Sequence, residues 1–237
     1  MIKGLLFDYG GTIDTNGLHW AIVLKRAYAK QKIIISDELF NNAYSYGERS
    51  LAINPLVQPF HNFYDVLLLK VTEQFKYLSN NALHLNPADI ELIANDCNQF
   101  ARDTVQNAKS ILQELSNKYP LVMVSNFYGN LNSVLKEFGI LGFFEDVVES
   151  AIVGVRKPNP KIYQLGIERL ALKPDQCMVV GDSFTKDIIP AKEIGCHTMW
   201  LRKQGWEDDF EHVVLSSKVI SDIEIHDFSE ITGKLLA

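Results

Sequence analysis

Four short polar clusters in this chain carry residue types that do phosphate and metal chemistry. In Phe7-Asp8-Tyr9-Gly10-Gly11-Thr12, a carboxylate follows an apolar run and is itself followed by a glycine turn. Backbone N–H groups in such a turn can cradle a phosphate, while the carboxylate serves as metal ligand or nucleophile. Ser125-Asn126, directly after the apolar residues 121–124, offers a hydroxyl and backbone amides to phosphate oxygens. Arg156-Lys157-Pro158 brings a compact cation suited to neutralising phosphate and carboxylate together. Gly181-Asp182-Ser183, with Asp187 beyond it, supplies two carboxylates of the kind a hard cation such as Mg2+ takes. Each cluster alone also reads as a turn, a helix cap or an exposed lysine, and Asp187 suits a cap for the helix containing Pro190. Asp182 resists that reading most, because an unpaired carboxylate after a Val-Val strand is costly to bury.

The elements around these clusters alternate. Apolar runs at 2–7, 121–124, 146–149, 177–180 and 197–201 read as strands, each followed by a helical pattern. Strands alternating with helices predict an α/β core with a parallel sheet and right-handed crossovers, and a ligand site at the carboxyl ends of its strands. All four clusters fall at such ends. Between His19 and Phe100 the pattern is helical only, with Trp20, Leu24 and Ala27 on one face and a stripe of Phe60, Phe63, Leu67, Val71, Phe75 and Leu78. Ile90, Ile93, Cys97 and Phe100 mark a further helix behind Asn86-Pro87, and Val105 to Leu115 another that stops before Pro120. The expected organisation is an α/β core of residues 1–15 and 100–237 with an inserted all-helical domain over 16–99.

The chain has 237 residues, 47% of them apolar, enough for one large domain or a core with a smaller companion. A net charge of −6 without a basic block argues against nucleic-acid or membrane partners and for small-molecule chemistry. Cys97, Cys177 and Cys196 are widely spaced and odd in number, which predicts neither a disulfide framework nor a zinc site. With no leader-like or spanning apolar run, a soluble cytoplasmic protein is expected, as monomer or homodimer.

Together the clusters resemble the motifs of the haloacid dehalogenase-like hydrolase superfamily, in the family's order. Asp8-Tyr9-Gly10-Gly11-Thr12 is similar to its first motif, Asp-x-Asp-Gly-Thr. Ser125 matches the second, Lys157-Pro158 the third, and Gly181 to Asp187 the full Gly-Asp-Ser-x-x-x-Asp fourth. The resemblance implies a Rossmann-like three-layer core, with the helical insert as a first-type cap. It implies a Mg2+-dependent phosphatase of small phosphorylated metabolites, in which Asp8 attacks phosphorus to form an aspartyl-phosphate. Asp8, Asp182, Asp187 and the backbone of Gly10 would hold the metal. Gly11, Thr12, Ser125, Asn126 and Lys157 would bind the phosphoryl group.

The chain departs from the family at Gly10, where phosphatases usually carry an acid/base aspartate. Three expectations follow: substrates with good leaving groups, another acid such as Asp14 or His19, or a weak or silent relative that binds phosphorylated ligands. A phosphonate hydrolase would need a reactive cap lysine from among Lys25, Lys30, Lys32, Lys70 and Lys76. A dehalogenase is similar in Ser125-Asn126 but belongs to enzymes lacking the fourth motif. Arg49, His61, Tyr64 and Trp20 are plausible specificity residues of the cap.

Overall fold

Leu5, Leu6 and Phe7 are all fully buried, because a strand in the middle of a parallel sheet is covered on both faces. The structure, a computed structural model, describes residues 1–81, 83–203 and 219–236. Six strands form one sheet: β1 (Gly4–Phe7), β2 (Leu121–Ser125), β3 (Asp146–Glu149), β4 (Cys177–Gly181), β5 (His197–Leu201) and β6 (Ile223–Ile225). Their order is β3-β2-β1-β4-β5-β6, with every neighbouring pair parallel. The chain thus steps one way from β1, returns to the other side of it, and places β1 and β4 at the switch point where α/β sheets bind ligands. Five strands lie where the apolar runs predict them. β6 was not expected; three residues alternating Ile-Glu-Ile are too short to stand out by periodicity.

The helices are α1 (Trp20–Lys30), α2 (Asp37–Ile53), α3 (Phe63–Asn80), α4 (Ala88–Ser116), α5 (Leu131–Glu137), α6 (Ser150–Val153), α7 (Lys161–Leu170), α8 (Ile189–Glu193) and α9 (Glu230–Leu235). Alternate strand residues divide between two layers, as the period of two requires. Leu5, Phe7, Leu121 and Met123 join a large core with apolar residues of α1–α5. Leu6, Val122, Val124 and Val179 pack under Ile162, Tyr163 and Ile167 of α7 and Ala191 of α8.

Two expectations about the helical region need correction. Phe60 does not join the α3 stripe: the helix starts at Phe63, where Asn62 and Asp65 form a reciprocal capping box, and Phe60 is exposed. The two helices expected around residues 90–100 and 105–115 are one, α4, running unbroken through positions 99–100. No Gly or Pro occurs between Ala88 and Ser116 to interrupt the ladder. Ile93 and Cys97 near its start and Val105 and Leu112 near its end lie in the same core. Positions 204–218 of the expected core range lie outside the described residues.

α7 lies close on the sheet at Gly166, where an added Cβ would overlap Leu6 and stand 2.9 Å from Val124 Cγ2. Alanine gains about 1 kcal/mol of helix propensity over glycine, whereas overpacking costs about 1–3 kcal/mol. Gly166→Ala is therefore expected to lower unfolding free energy by about 1 kcal/mol in urea titration, and a stabilised variant would show that this contact is looser than described.

Candidate functional site

The carboxyl ends of β1, β2 and β4 deliver the side chains that meet here. Asp8, the first residue past β1, is buried, and its backbone N–H donates to Val180 O of the neighbouring β4 at 3.0 Å. Lys157 Nζ donates to Asp8 Oδ1 at 2.6 Å and to Asp187 Oδ1 at 2.8 Å. Thr12 Oγ1 reaches Asp8 Oδ2 at 2.9 Å and Asp182 Oδ1 at 3.2 Å, and accepts from the Asp182 N–H at 3.0 Å. Ser125 Oγ lies 3.4 Å from Asp8 Oδ1. The glycine turn allows this closeness: Gly11 sits at φ 98°, and a Cβ there would overlap the Asp182 carboxylate. Asp8, Thr12, Ser125, Lys157, Asp182 and Asp187 are thus drawn into one cluster from four separated stretches of chain.

Two residues expected to hold phosphate are engaged elsewhere. The Asn126 side chain donates to Lys157 O at 3.2 Å and accepts from Lys157 N–H at 2.9 Å, so it fixes the backbone that carries the lysine. The Gly11 N–H donates to Asp14 Oδ1 at 2.7 Å. Tyr163, expected only as part of an apolar helix face, donates its hydroxyl to Asp187 Oδ1 at 2.6 Å. No spacing signal marks it, since a buried Tyr and a buried Phe look alike in a helical stripe. With Ser183 N–H on Asp187 Oδ2 at 3.0 Å, both Asp187 oxygens are occupied, and Asp187 orients Lys157. Among the described residues, Asp182 Oδ2 has no hydrogen-bond partner.

The charge balance is uneven. Asp8, Asp182 and Asp187 each offer an oxygen, the three lying within 4.8 Å of one another. Lys157 is the one cation in contact with them among the described residues. Burial pushes the Asp8 carboxyl up, against the pull of Lys157, and burial with the nearby Asp8 and Asp187 charges pushes Asp182 well above the usual carboxylate range. Burial alone would lower Lys157, but Asp187 and Asp8 outweigh it and keep the ammonium charged. Two buried carboxylates on one ammonium, with the half-buried Asp182 beside them, leave an excess of negative charge, and an oxygen-only donor set of this kind fits a hard divalent cation.

At position 10 an added Cβ would meet nothing within 4 Å, so Gly10 leaves open space in the turn after Asp8. Of the expected replacement acids, Asp14 is buried, with Oδ1 on the Gly11 N–H and Oδ2 accepting from Trp20 Nε1 at 2.9 Å. Burial pushes its carboxyl up to about 7. His19 caps α1, its Nδ1 accepting from Ala21 N–H at 3.2 Å. Trp20 and His61, read as cap specificity residues, make internal bonds instead, Trp20 to Asp14 and His61 Nδ1 to the Gln58 N–H at 3.1 Å.

A sequence profile of haloacid dehalogenase-like hydrolases matches residues 2–195. A glyceraldehyde 3-phosphate phosphatase of Methanopyrus kandleri is 42% identical over 74 residues, 31% of this chain and 32% of that protein. One of Pyrococcus abyssi is 27% identical over 209 residues, 85% of this chain and 82% of that protein. The chain spans about a third of the length of the curated relatives it matches first. The structure of the HAD-hydrolase YfnB from Bacillus subtilis, bound to magnesium, superposes with a TM-score of 0.61 at 20% identity, covering 100% of this chain and 99% of that one.

The Asp14 carboxyl sets a pH signature. Its folded pKa of about 7 lies above the ordinary 3.8, so the folded chain holds a proton that the unfolded chain releases. The stabilisation is present below about pH 4 and is lost as pH rises through 7. A displacement of that size corresponds to up to about 4 kcal/mol. Relative to Asp14→Asn, the wild-type protein is expected to lose unfolding free energy between pH 4 and 8 in urea titrations with EDTA. Parallel pH curves for the two proteins would refute the assignment.

Proposed function

We propose, for a chain that belongs to the haloacid dehalogenase-like hydrolases, that it is a Mg2+-dependent phosphatase of small cytoplasmic metabolites working through an aspartyl-phosphate on Asp8. The observation that carries this reading is the Asp8 carboxylate at the end of β1, held by Lys157 at 2.6 Å and Thr12 at 2.9 Å, with Asp182 beside it. Both relatives above are named as phosphatases, and the metal-bound relative carries magnesium.

Asp8 and Asp182, with the Gly10 carbonyl and Asp187 alongside, are the groups that would hold the cation. When bound, the metal offsets charge between nucleophile and phosphate. An Asp8 oxygen forms a bond to phosphorus as the ester P–O bond breaks, and the alcohol leaves with a proton from solvent. Water then adds to phosphorus, the aspartyl bond breaks, and inorganic phosphate departs with the carboxylate restored. Lys157 and Ser125 neutralise and hold the phosphoryl oxygens, and Asp187 with Tyr163 keeps Lys157 aimed. Helices α1–α3 and the start of α4 act as the lid that excludes water.

Gly10 removes the usual proton donor, a contribution of about 10²–10⁴ in rate. Esters with good leaving groups are therefore the natural substrates, since Asp14 is directed at Gly11 and Trp20. The same open position favours a second reading, a weak relative that binds phosphorylated ligands and turns them over poorly. Phosphonate hydrolysis needs a lysine in a shielded pocket, and of the five candidates only Lys70 is buried, where it is paired with Glu48, while Lys25, Lys30, Lys32 and Lys76 are not buried. Dehalogenation leaves Asp182 without a task.

The test is phosphate release from purified protein with acetyl phosphate, p-nitrophenyl phosphate, glyceraldehyde 3-phosphate and glucose 6-phosphate, with and without Mg2+. Turnover is expected to require the metal, to vanish in Asp8→Asn, and to fall steeply as the leaving group becomes more basic. Gly10→Asp has room for its side chain and is expected to raise turnover of glucose 6-phosphate by about 10²-fold or more, with a smaller gain on acetyl phosphate. Turnover that survives both EDTA and Asp8→Asn would sink the mechanism. Tight binding of phosphate esters with no release would favour the second reading.

A further inference from the structure

Asp8 and Asp187 each contact the Lys157 ammonium, whereas Asp182 has no cation against it among the described residues. Its place in the cluster depends on neutral donors that hold its main chain from two sides. The Asp182 N–H donates to Thr12 Oγ1 at 3.0 Å, on the β1 side. The Asp182 carbonyl oxygen accepts from the indole Nε1 of Trp200 at 2.8 Å, on the β5 side. In the sequence Trp200 reads only as one apolar residue of the run 197–201.

The parallel register sets Trp200 of β5 beside Gly181 of β4, the residue before Asp182. Paired residues of a parallel sheet point to the same face, so the indole stands where Gly181 has no side chain to block it. The ring is itself fixed. Trp200 is 7% exposed, the Phe184 ring lies 4.9 Å from it, and the Arg202 guanidinium stands 5.0 Å from the indole centre. Phe184 opens the turn Phe184–Ile188, which carries Asp187, and both Phe184 and Ile188 share an apolar cluster with Trp200. One side chain of β5 thus braces both stretches of chain that bear the carboxylates beyond β4.

We propose that Trp200 is a positioning residue of the metal centre, its indole N–H fixing the Asp182 main chain so that the carboxylate is already in place for a divalent cation. The proposal rests on the phosphatase reading, which puts Mg2+ at this cluster. Indole offers a donor and no acceptor, so the bond runs one way, and phenylalanine cannot replace it. A ligand ordered in advance loses less freedom when the cation binds. Partners outside the ligand set that orient a ligand typically contribute about 10–100-fold in metal affinity. Ring packing without any effect of the N–H is the competing account.

The experiment titrates Mg2+ into wild type, Trp200→Phe, and a protein with benzothienylalanine at position 200, which keeps the ring and replaces its N–H by sulfur. Calorimetry reads affinity without turnover, and indole fluorescence reads the response at the ring. Wild type is expected to bind Mg2+ with a fluorescence change that Trp200→Phe loses. Both replacements should raise the Mg2+ dissociation constant about tenfold. Weaker binding in Trp200→Phe with wild-type affinity in the sulfur analogue would overturn the proposal in favour of packing. Unchanged affinity in both would overturn it outright. The expected affinity pattern without phosphate release from any ester would count against the phosphatase reading and leave the role of Trp200 standing. A wild type that binds no Mg2+ would overturn that role together with the metal centre it serves.

Discussion

Two carboxylates sharing one ammonium, with a third carboxylate beside them, set the terms for everything nearby at the ends of β1 and β4. Burying that much negative charge is unfavourable, and the molecule offsets it locally. Lys157 bridges Asp8 and Asp187, Thr12 links Asp8 to Asp182, and Tyr163 and the Ser183 N–H take up the remaining lone pairs of Asp187. What is left over is an unshared oxygen on Asp182 and a net negative charge, the condition under which a divalent cation and a phosphate dianion bind together rather than compete.

The scaffold can be read as the means of holding this arrangement against its own repulsion. β1 and β4 are neighbours only because the sheet reverses its strand order there, and their register sets Phe7 beside Val180, which brings Asp8 and Asp182 to the same end of the sheet. Lys157 arrives from beyond β3, on a loop whose backbone is clamped by Asn126 through two hydrogen bonds. Asn126 therefore fixes the backbone position of the lysine. α7 supports the same point from below, since its Tyr163 reaches Asp187 while Ile162 and Ile167 pack on the sheet.

Gly10 and the helical region differ in what they bring near the strand ends. Glycine at position 10 leaves open space in the turn after Asp8 and offers no side-chain proton donor there. Among the described residues, the one buried lysine of α1–α4, Lys70, is paired with Glu48.

The sequence by itself determined the sheet and the motif-bearing loops. Apolar runs of four to five residues such as Leu121–Ser125 and Cys177–Gly181 are short, fully buried and bounded by turn residues, so their type is decided locally. The ordered motifs at their ends named Asp8, Ser125, Lys157 and Asp182 before any geometry was known. It did not decide where α3 begins, that α4 is one helix, or that β6 exists, because capping, helix continuity and edge pairing depend on partners distant in sequence. Nor did it show which polar atoms these residues meet within the chain: Asn126 bonds the Lys157 backbone, the Gly11 N–H bonds Asp14, and Tyr163, expected as core, donates to Asp187. Glu48, Lys70 and Tyr128 lie 22 and 58 residues apart along the chain, with no periodicity linking them. Only packing α2, α3 and the β2 loop together makes them one cluster, because an ion pair is a property of distance in space and carries no signature in the chain.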